Sequence, residues 1–340
     1  MRKHSVLTVK SLISGLPGPD ETSADAARNR QMNLTKPPGS LGKLEDIVTW
    51  LATWQGKHPP TLNSAQTIVF AANHGVAANG VSAYPTEVTA QMVANFKDGG
   101  AAINALTSNS LANLSVVPIS LEIPTKDLTR DAAMSTSELK TALDIGASAI
   151  PDDTDILLLG EMGIGNTTSA AALACALFGG KASDWVGLGT GVNADGLKRK
   201  SQAVETALTF HKNALDDPLD ALRRVGGREL AAITGATLEA RRRRIPVLLD
   251  GFVSTAAASV LFAYDENALD HCLVSHLSSE AGHSRLLAKL CKSPLLDLEM
   301  RLGEASGAAV ALSIVRAALM AHMEMATFSV AGVDGRSEGV

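Results

Sequence analysis

Six short apolar runs recur along the middle of the chain, at 67–72, 115–121, 155–159, 185–188, 245–250 and 272–275. Segments such as ILLL and PVLLD are apolar at nearly every position rather than at every second one. That is the pattern of strands buried on both faces of a parallel sheet. Between the runs lie alanine-rich stretches with helical character, at 168–178, 198–211 and 254–264. Strands alternating with helices predict an α/β domain whose parallel sheet carries helices on both sides.

The two ends of the chain read differently. Residues 24–33 and 44–55 predict helices joined by the punctuated stretch TKPPGSLG, and 308–327 predicts another helix near the C-terminus. No strand pattern occurs in either end. Helical ends around an α/β middle predict a small helical domain from residues 1–62 and 305–340, and a catalytic α/β domain from 63–304. The HPPTLNS segment supplies a boundary rich in turn formers. The last residues, from 333, are expected to fray.

The composition narrows what such a fold can do. Thirty Lys and Arg stand against 35 Asp and Glu, a formal net charge of −5, and aromatic residues make up 4%. That balance argues against nucleic-acid binding, which wants basic surface and stacking rings. The Arg241–Arg244 run fits better as cations at a helix C-terminus ahead of the strand IPVLLD. No stretch of about 18 residues is free of polar interruption, so no membrane span is expected. The N-terminus has a lysine-broken apolar stretch and no clear cleavage site, and reads as mature sequence. Cys175, Cys272 and Cys291 form no CxxC pair and read as buried thiols of a reducing cytoplasm. The eight histidines include no HExxH motif, and no metal site is expected.

In parallel sheets, ligands bind beyond the carboxyl ends of the strands, so the loops there carry the candidate chemistry. The sharpest is GEMGIGNTT at 160–168, between an apolar strand and a helix. Gly163 and Gly165 allow close backbone approach, while Asn166 and Thr167 could cap the helix with their N–H groups aimed at an anion such as phosphate. A tight turn with an N-cap explains the same residues, and the pattern alone leaves both readings open. A second loop, GLGTG at 187–191, includes Gly189 and Thr190 and precedes a segment bearing Lys198, Arg199 and Lys200. Asn73-His74-Gly75 and the SSEAGH segment at 278–283 are further polar loops after strands, where a single histidine is more often structural than catalytic. In RLGEASG, Glu304 lies between small residues at the start of a helix. It complements that helix's dipole there, and in an apolar slot it would become a general base.

Taken together, TKPPGSLGKLE, GVSAYP, GEMGIGNTT, GLGTG with the following RK, LLDGF, SSEAGH and LLDLEMRLGEASGAA resemble the nicotinate-nucleotide:dimethylbenzimidazole phosphoribosyltransferases of cobalamin assembly. The blocks keep the family's order over residues 30–320. The resemblance implies a Rossmann-like sheet with a small helical domain, in a cytoplasmic homodimer needing no cofactor or metal. It implies transfer of the phosphoribosyl group of nicotinate mononucleotide to 5,6-dimethylbenzimidazole, giving nicotinate and α-ribazole 5′-phosphate. Related acceptors, adenine or a phenol, and a non-catalytic nucleotide binder are the alternatives. Position by position, Glu304 matches the general base and Glu161 a second acid at the site. Gly163, Gly165, Asn166, Thr167, Gly189, Thr190 and Lys200 match the nucleotide-holding region. Ser82, Tyr84, Gln91 and Leu302 fall near the base slot. The family usually carries Asp where Asn73 stands, and Gly where Glu299 and Ala305 stand.

Overall fold

A computed structural model describes residues 13–189 and 191–334. Thr190, the N-terminal residues 1–12 and the tail from 335 lie outside the described residues, so the readings of Thr190, of the leader region and of the tail's end fall there.

Six parallel strands form one sheet: β1 (Ala65–Ala71), β2 (Asn113–Pro118), β3 (Ile156–Met162), β4 (Val247–Leu249), β5 (Cys272–His276) and β6 (Pro294–Leu296). Their order is β2-β1-β3-β4-β5-β6. The chain therefore winds one way from β1 to β2 and the other way from β3 onward. That reversal leaves a crevice beyond the carboxyl ends of β1 and β3, where doubly wound sheets hold ligands. The register sets Phe70 beside Glu161 and Ala71 beside Met162, so an acid enters the crevice from the end of β3.

Five of the six apolar runs are strands and the sixth is not. Residues 185–188 follow a 3-10 turn (Ala182–Asp184) and pair with no strand. Trp185 is fully buried and its indole N–H donates to the Gly179 carbonyl at 2.9 Å, so this run fills core as a loop. The sixth strand is β6, a half-buried three-residue edge beginning with proline. An edge tolerates that proline, whose nitrogen cannot join a ladder, and three residues are too few to announce a period. β3 also runs past the predicted 155–159, which moves Glu161 from a loop onto a strand.

Among the described residues the strands are joined and flanked by helices α1 (Glu21–Asn33), α2 (Lys43–Gln55), α3 (Glu87–Lys97), α4 (Ala102–Asn109), α5 (Thr136–Ser148), α6 (Asn166–Phe178), α7 (Ala194–His211), α8 (Pro218–Val225), α9 (Arg228–Arg242), α10 (Phe252–Phe262), α11 (Ala281–Lys289), α12 (Ser306–Glu324) and α13 (Phe328–Ala331). Side chains alternate across the strands. Phe70, Leu157, Leu159 and Leu249 pack towards α6, α9 and α10, while Val69, Ile156, Leu158 and Leu248 pack towards α2 and α12. The terminal segments join each other: Leu34 bridges Thr327, and the Arg30 guanidinium donates to the carbonyls of His322, Met323 and Met325. They also share core with the sheet, because Leu51 and Leu312 belong to the same cluster as Leu158.

Helix α12, although interrupted by Ser313, Arg316 and His322, is long and apolar enough to cross a membrane by length and composition. Its internal Arg316 and His322 do not offset so many Ala, Val, Leu and Ile residues. Yet 56% of that stretch is buried within the protein, as in a core helix. Most of the arginine run is spent on internal contacts: Arg241 stacks 4.0 Å over Trp54 and donates to Pro17, and Arg243 donates to Ile150 and Pro151, while Arg242 is exposed and pairs with Glu239. Cys175 and Cys272 are buried as expected, but Cys291 is exposed, since it follows the end of α11 at the surface.

Candidate functional site

The acidic side of the crevice is built where β3, β4 and the start of α12 meet. Gly160 is the contact point, because a Cβ there would lie 2.2 Å from the Ala305 nitrogen. The Glu304 N–H donates to the Glu161 carbonyl at 3.2 Å, laying the turn before α12 across the end of β3. Three successive residues of that turn are left-handed: Gly303 at φ +82, Glu304 at +62 and Ala305 at +63. Side-chain-bearing residues resist this region by about 1–2 kcal/mol each. Surrounding bonds hold them there, from Ser306 N–H to the Gly303 carbonyl at 3.0 Å and from Ala308 N–H to Asp250 Oδ1 at 3.0 Å.

Glu304 is 4% exposed, and its Oε2 has no hydrogen-bond partner among the described residues. Burial pushes its carboxyl up from 4.5 to about 7. Glu161 is also buried; Asn166 Nδ2 donates to its Oε2. Burial, with Glu229, Asp250 and Glu304 nearby, raises Glu161 well above the usual carboxylate range against that hydrogen bond. Asp250, just past β4, is raised to about 7 by burial despite accepting backbone N–H bonds from the α12 start. Clustered buried acids cannot all ionise together, so near neutral pH the group retains protons and can accept more on demand.

Beneath this cluster, His74 bridges two elements. Its Nε2 meets Glu229 Oε1 at 2.5 Å, and its Nδ1 lies 3.0 Å from Ser169 Oγ. The pair supports the glycine loop: a Cβ on Gly163 would lie 2.6 Å from the Ala72 carbonyl and 3.2 Å from Glu229 Oε1. Gly165, at φ +96, is itself the N-cap of α6. The expected side-chain cap is therefore absent, and Asn166 and Thr167 are drawn elsewhere, Asn166 to Glu161 and Thr167 to Lys200.

The basic side lies on α7. Lys200 is 1% exposed, and its Nζ donates to Thr167 Oγ1 at 3.0 Å and to the Gly187 carbonyl at 2.8 Å. Burial lowers the Lys200 ammonium pKa, and Glu280 partly offsets this. Glu280 Oε1 accepts from the Gly189 N–H at 2.7 Å. Arg301 donates to the Gly189 carbonyl at 2.9 Å, tying that loop to the turn that carries Glu304. Lysine, a helix N-terminus and glycine backbone converging in one crevice suit a phosphate.

The remaining sequence candidates are more open. The Tyr84 N–H donates to Ser82 Oγ at 3.1 Å, while Tyr84, Gln91 and Leu302 have exposed side chains. The Ile164 N–H donates to Thr89 Oγ1 at 3.2 Å, fastening α3 to the glycine loop. The two histidines flagged by sequence have internal work; besides His74, His283 accepts from the Ser278 N–H and meets Thr255, and burial lowers it to about 3. Sequence reasoning missed Glu229, Asp250, Glu280 and Arg301 as members of the site. Asp250, Glu280 and Arg301 stood within the family motifs, and Glu229 gave no signal in the sequence. Among the described residues, no three His, Cys, Asp or Glu side chains come together as a metal site.

A doubly wound sheet with a phosphate-compatible glycine crevice on one side and buried acids on the other defines a nucleotide-handling α/β enzyme. A phosphoribosyltransferase family model matches residues 16–333. The nicotinate-nucleotide–dimethylbenzimidazole phosphoribosyltransferase of Methylorubrum extorquens is 58% identical over 329 residues, 96% of each chain. The protein of the same name from Brucella canis is 53% identical over 324 residues, 95% of this chain and 96% of its own. The crystal structure of CobT from Thermus thermophilus superposes with a TM-score of 0.87 at 42% identity, covering 93% of this chain and 100% of that one. The chain belongs to the nicotinate-nucleotide–dimethylbenzimidazole phosphoribosyltransferase family.

Proposed function

We propose that the chain transfers the phosphoribosyl group of nicotinate mononucleotide to 5,6-dimethylbenzimidazole, with Glu304 as the general base. The observation that carries this reading is Glu304 itself: a buried carboxylate with an unpaired oxygen, raised to about 7, on a turn bonded to the end of β3. A base works best when its pKa lies near the working pH. One benzimidazole nitrogen attacks C1′ while the other loses its proton to Glu304. The bond from C1′ to the pyridinium nitrogen breaks, its electron pair returns to the ring, and nicotinate leaves needing no acid. The anomeric carbon inverts, and α-ribazole 5′-phosphate is left.

Lys200, Thr167, Gly189 and the Gly163–Gly165 turn hold the 5′-phosphate in this reading. Glu161 faces the ribose hydroxyls or supports the base, and Asn166 orients Glu161. Ser82, Tyr84, Gln91 and Leu302 border the acceptor slot. Holding both rings in line across C1′ supplies much of the rate. The protein acts as a cytoplasmic homodimer on this reading. The exposed apolar residues Ile314, Met320 and Met323 along α12 support the second copy, and sedimentation measures it.

The test is direct. The purified protein is incubated with nicotinate mononucleotide and 5,6-dimethylbenzimidazole without added metal, and both products are followed by chromatography. Nicotinate and α-ribazole phosphate should form in equal amounts. Absence of both, in a panel that also offers adenine, other benzimidazoles and phenols, overturns the reading.

A further inference from the structure

One buried carboxylate in the crevice has no role in the transfer just described. Asp250 is 1% exposed and follows β4, at the centre of the sheet. Its Oδ1 accepts from the Ala308 N–H at 3.0 Å, and the nearby N–H groups of Gly307 and Ala305 favour its ionised form. It therefore grips the first turn of α12 immediately after the two left-handed residues Glu304 and Ala305. A turn in that conformation opens unless its neighbours hold it. Three features hold this one: the Glu304 N–H on β3, the Ser306 N–H on Gly303, and the Asp250 carboxylate. The Arg301 side chain ties the same turn from its other end to Gly189, but the Asp250 carboxylate is the side chain that meets the turn where α12 begins, just past β4.

We propose that Asp250 is a positioning residue for the transfer: it clamps the turn that aims the Glu304 carboxylate, and its charge sets the electrostatic surroundings in which that base works. The proposal rests on the reading of Glu304 as base. Titratable groups face Asp250 from three directions. His276 Nε2 on β5 lies 3.7 Å from Oδ1, Glu304 approaches from the turn before α12, and Glu161 from β3. His276 makes no hydrogen bond with either ring nitrogen among the described residues, and burial lowers its pKa, so it offers no opposite charge to Asp250, and Glu304 feels the Asp250 carboxylate unopposed wherever Asp250 ionises. Removing a like charge makes Glu304 easier to ionise.

Asp250→Asn keeps an oxygen for the α12 N–H groups but discards the charge, whereas Asp250→Ala discards the clamp as well. The pH profile of kcat/KM is recorded for the full-length wild type and both variants, with Glu304→Gln as a control. In Asp250→Asn the acid limb should move to lower pH. In Asp250→Ala, kcat should fall by at least about tenfold, since small misplacements of catalytic groups cost that much, while KM for nicotinate mononucleotide stays within about twofold because the phosphate grip is elsewhere. Asparagine should restore most of the kcat that alanine loses. A profile for Asp250→Asn that superimposes on wild type overturns the electrostatic part, and wild-type kcat in Asp250→Ala overturns the clamp. If the alanine variant fails to fold, Asp250→Ser, whose hydroxyl is one bond shorter than the carboxylate that accepts from Ala308, takes its place in the kcat comparison. Full activity in Glu304→Gln is a separate outcome, which removes the base reading beneath the proposal.

Discussion

Replacing Glu304 with Gln separates what this residue does for chemistry from what it costs the fold. The folded protein raises this carboxyl from 4.5 to about 7 through burial. A rise of that size corresponds to about 3 kcal/mol of preference for the protonated form. The sign follows from linkage. The native state holds this proton more tightly than the unfolded chain does. Below the unfolded value both states are protonated and there is no penalty. The penalty then grows as pH rises towards the native value, and above it the folded protein carries all of it. Glutamine has the same shape and never ionises. Urea unfolding should therefore show Glu304→Gln more stable than wild type by about 2–3 kcal/mol near pH 8, with the gap closing near pH 4. Removing the charge also relieves Glu161 and Asp250, which adds in the same direction. Turnover should be lost in the variant, with nicotinate mononucleotide still bound. A stability gap that does not change with pH, or turnover at the wild-type rate, refutes the reasoning.

Other perturbations probe the rest of the site. Lys200→Ala should weaken nicotinate mononucleotide binding by about tenfold or more and leave the acceptor's affinity unchanged, as read by calorimetry; equal loss of both marks Lys200 as structural. Gly163→Ala would press a methyl against the Ala72 carbonyl at 2.6 Å and should lose about 1–3 kcal/mol in urea unfolding along with most of the turnover. Ala305→Gly removes a side chain from a left-handed position at φ +63 and should stabilise the fold by about 1 kcal/mol, visible as a higher Tm; an unchanged or lower Tm contradicts the strain argument.

Much of this arrangement was legible in the chain, and the gaps have physical causes. The central strands announced themselves because both their faces are covered, which leaves no polar position in ILLL. β6 is an edge of three residues and gives no such signal, whereas the run at 185–188 is equally apolar only because Trp185 and Val186 plug a loop into the core. Helix α9 carries Arg228, Glu229, Glu239, Arg241 and Arg242, so its apolar period is blurred, yet most of it is buried. Two departures from the family pattern acquired a meaning only with backbone angles: Glu299 and Ala305, where glycine is usual, both sit at positive φ, at +55 and +63. Glu304 and Lys200 were visible as candidates because family motifs surround them. Asp250 and Glu280 stood in those same motifs and went unassigned, since what they do depends on N–H groups far away in the chain, on Ala308 and Gly189.

The polarity of the crevice suggests how the base is kept ready without being permanently charged. One end presents the buried Lys200 ammonium, the other the acids Glu161, Asp250 and Glu304. Nicotinate mononucleotide has the complementary arrangement, a phosphate dianion at one end and a pyridinium cation at the other. Seated with its phosphate at Lys200, it brings its cationic ring to the acids. A cation close to a buried carboxylate favours the ionised form, so the nucleotide itself should deprotonate Glu304 before the acceptor's proton must be taken. Once the glycosidic bond breaks, the ring nitrogen is uncharged and nicotinate leaves as an anion, so that help is gone and the newly protonated Glu304 is the stable form. Free enzyme and complex should then titrate differently. The acid limb of kcat/KM reports Glu304 in the free enzyme, near pH 7, and the limb of kcat reports it with nucleotide bound, at lower pH. Steady-state rates across pH with saturating acceptor measure both limbs. If the kcat limb lies at or above that of kcat/KM, the pyridinium does not tune the base.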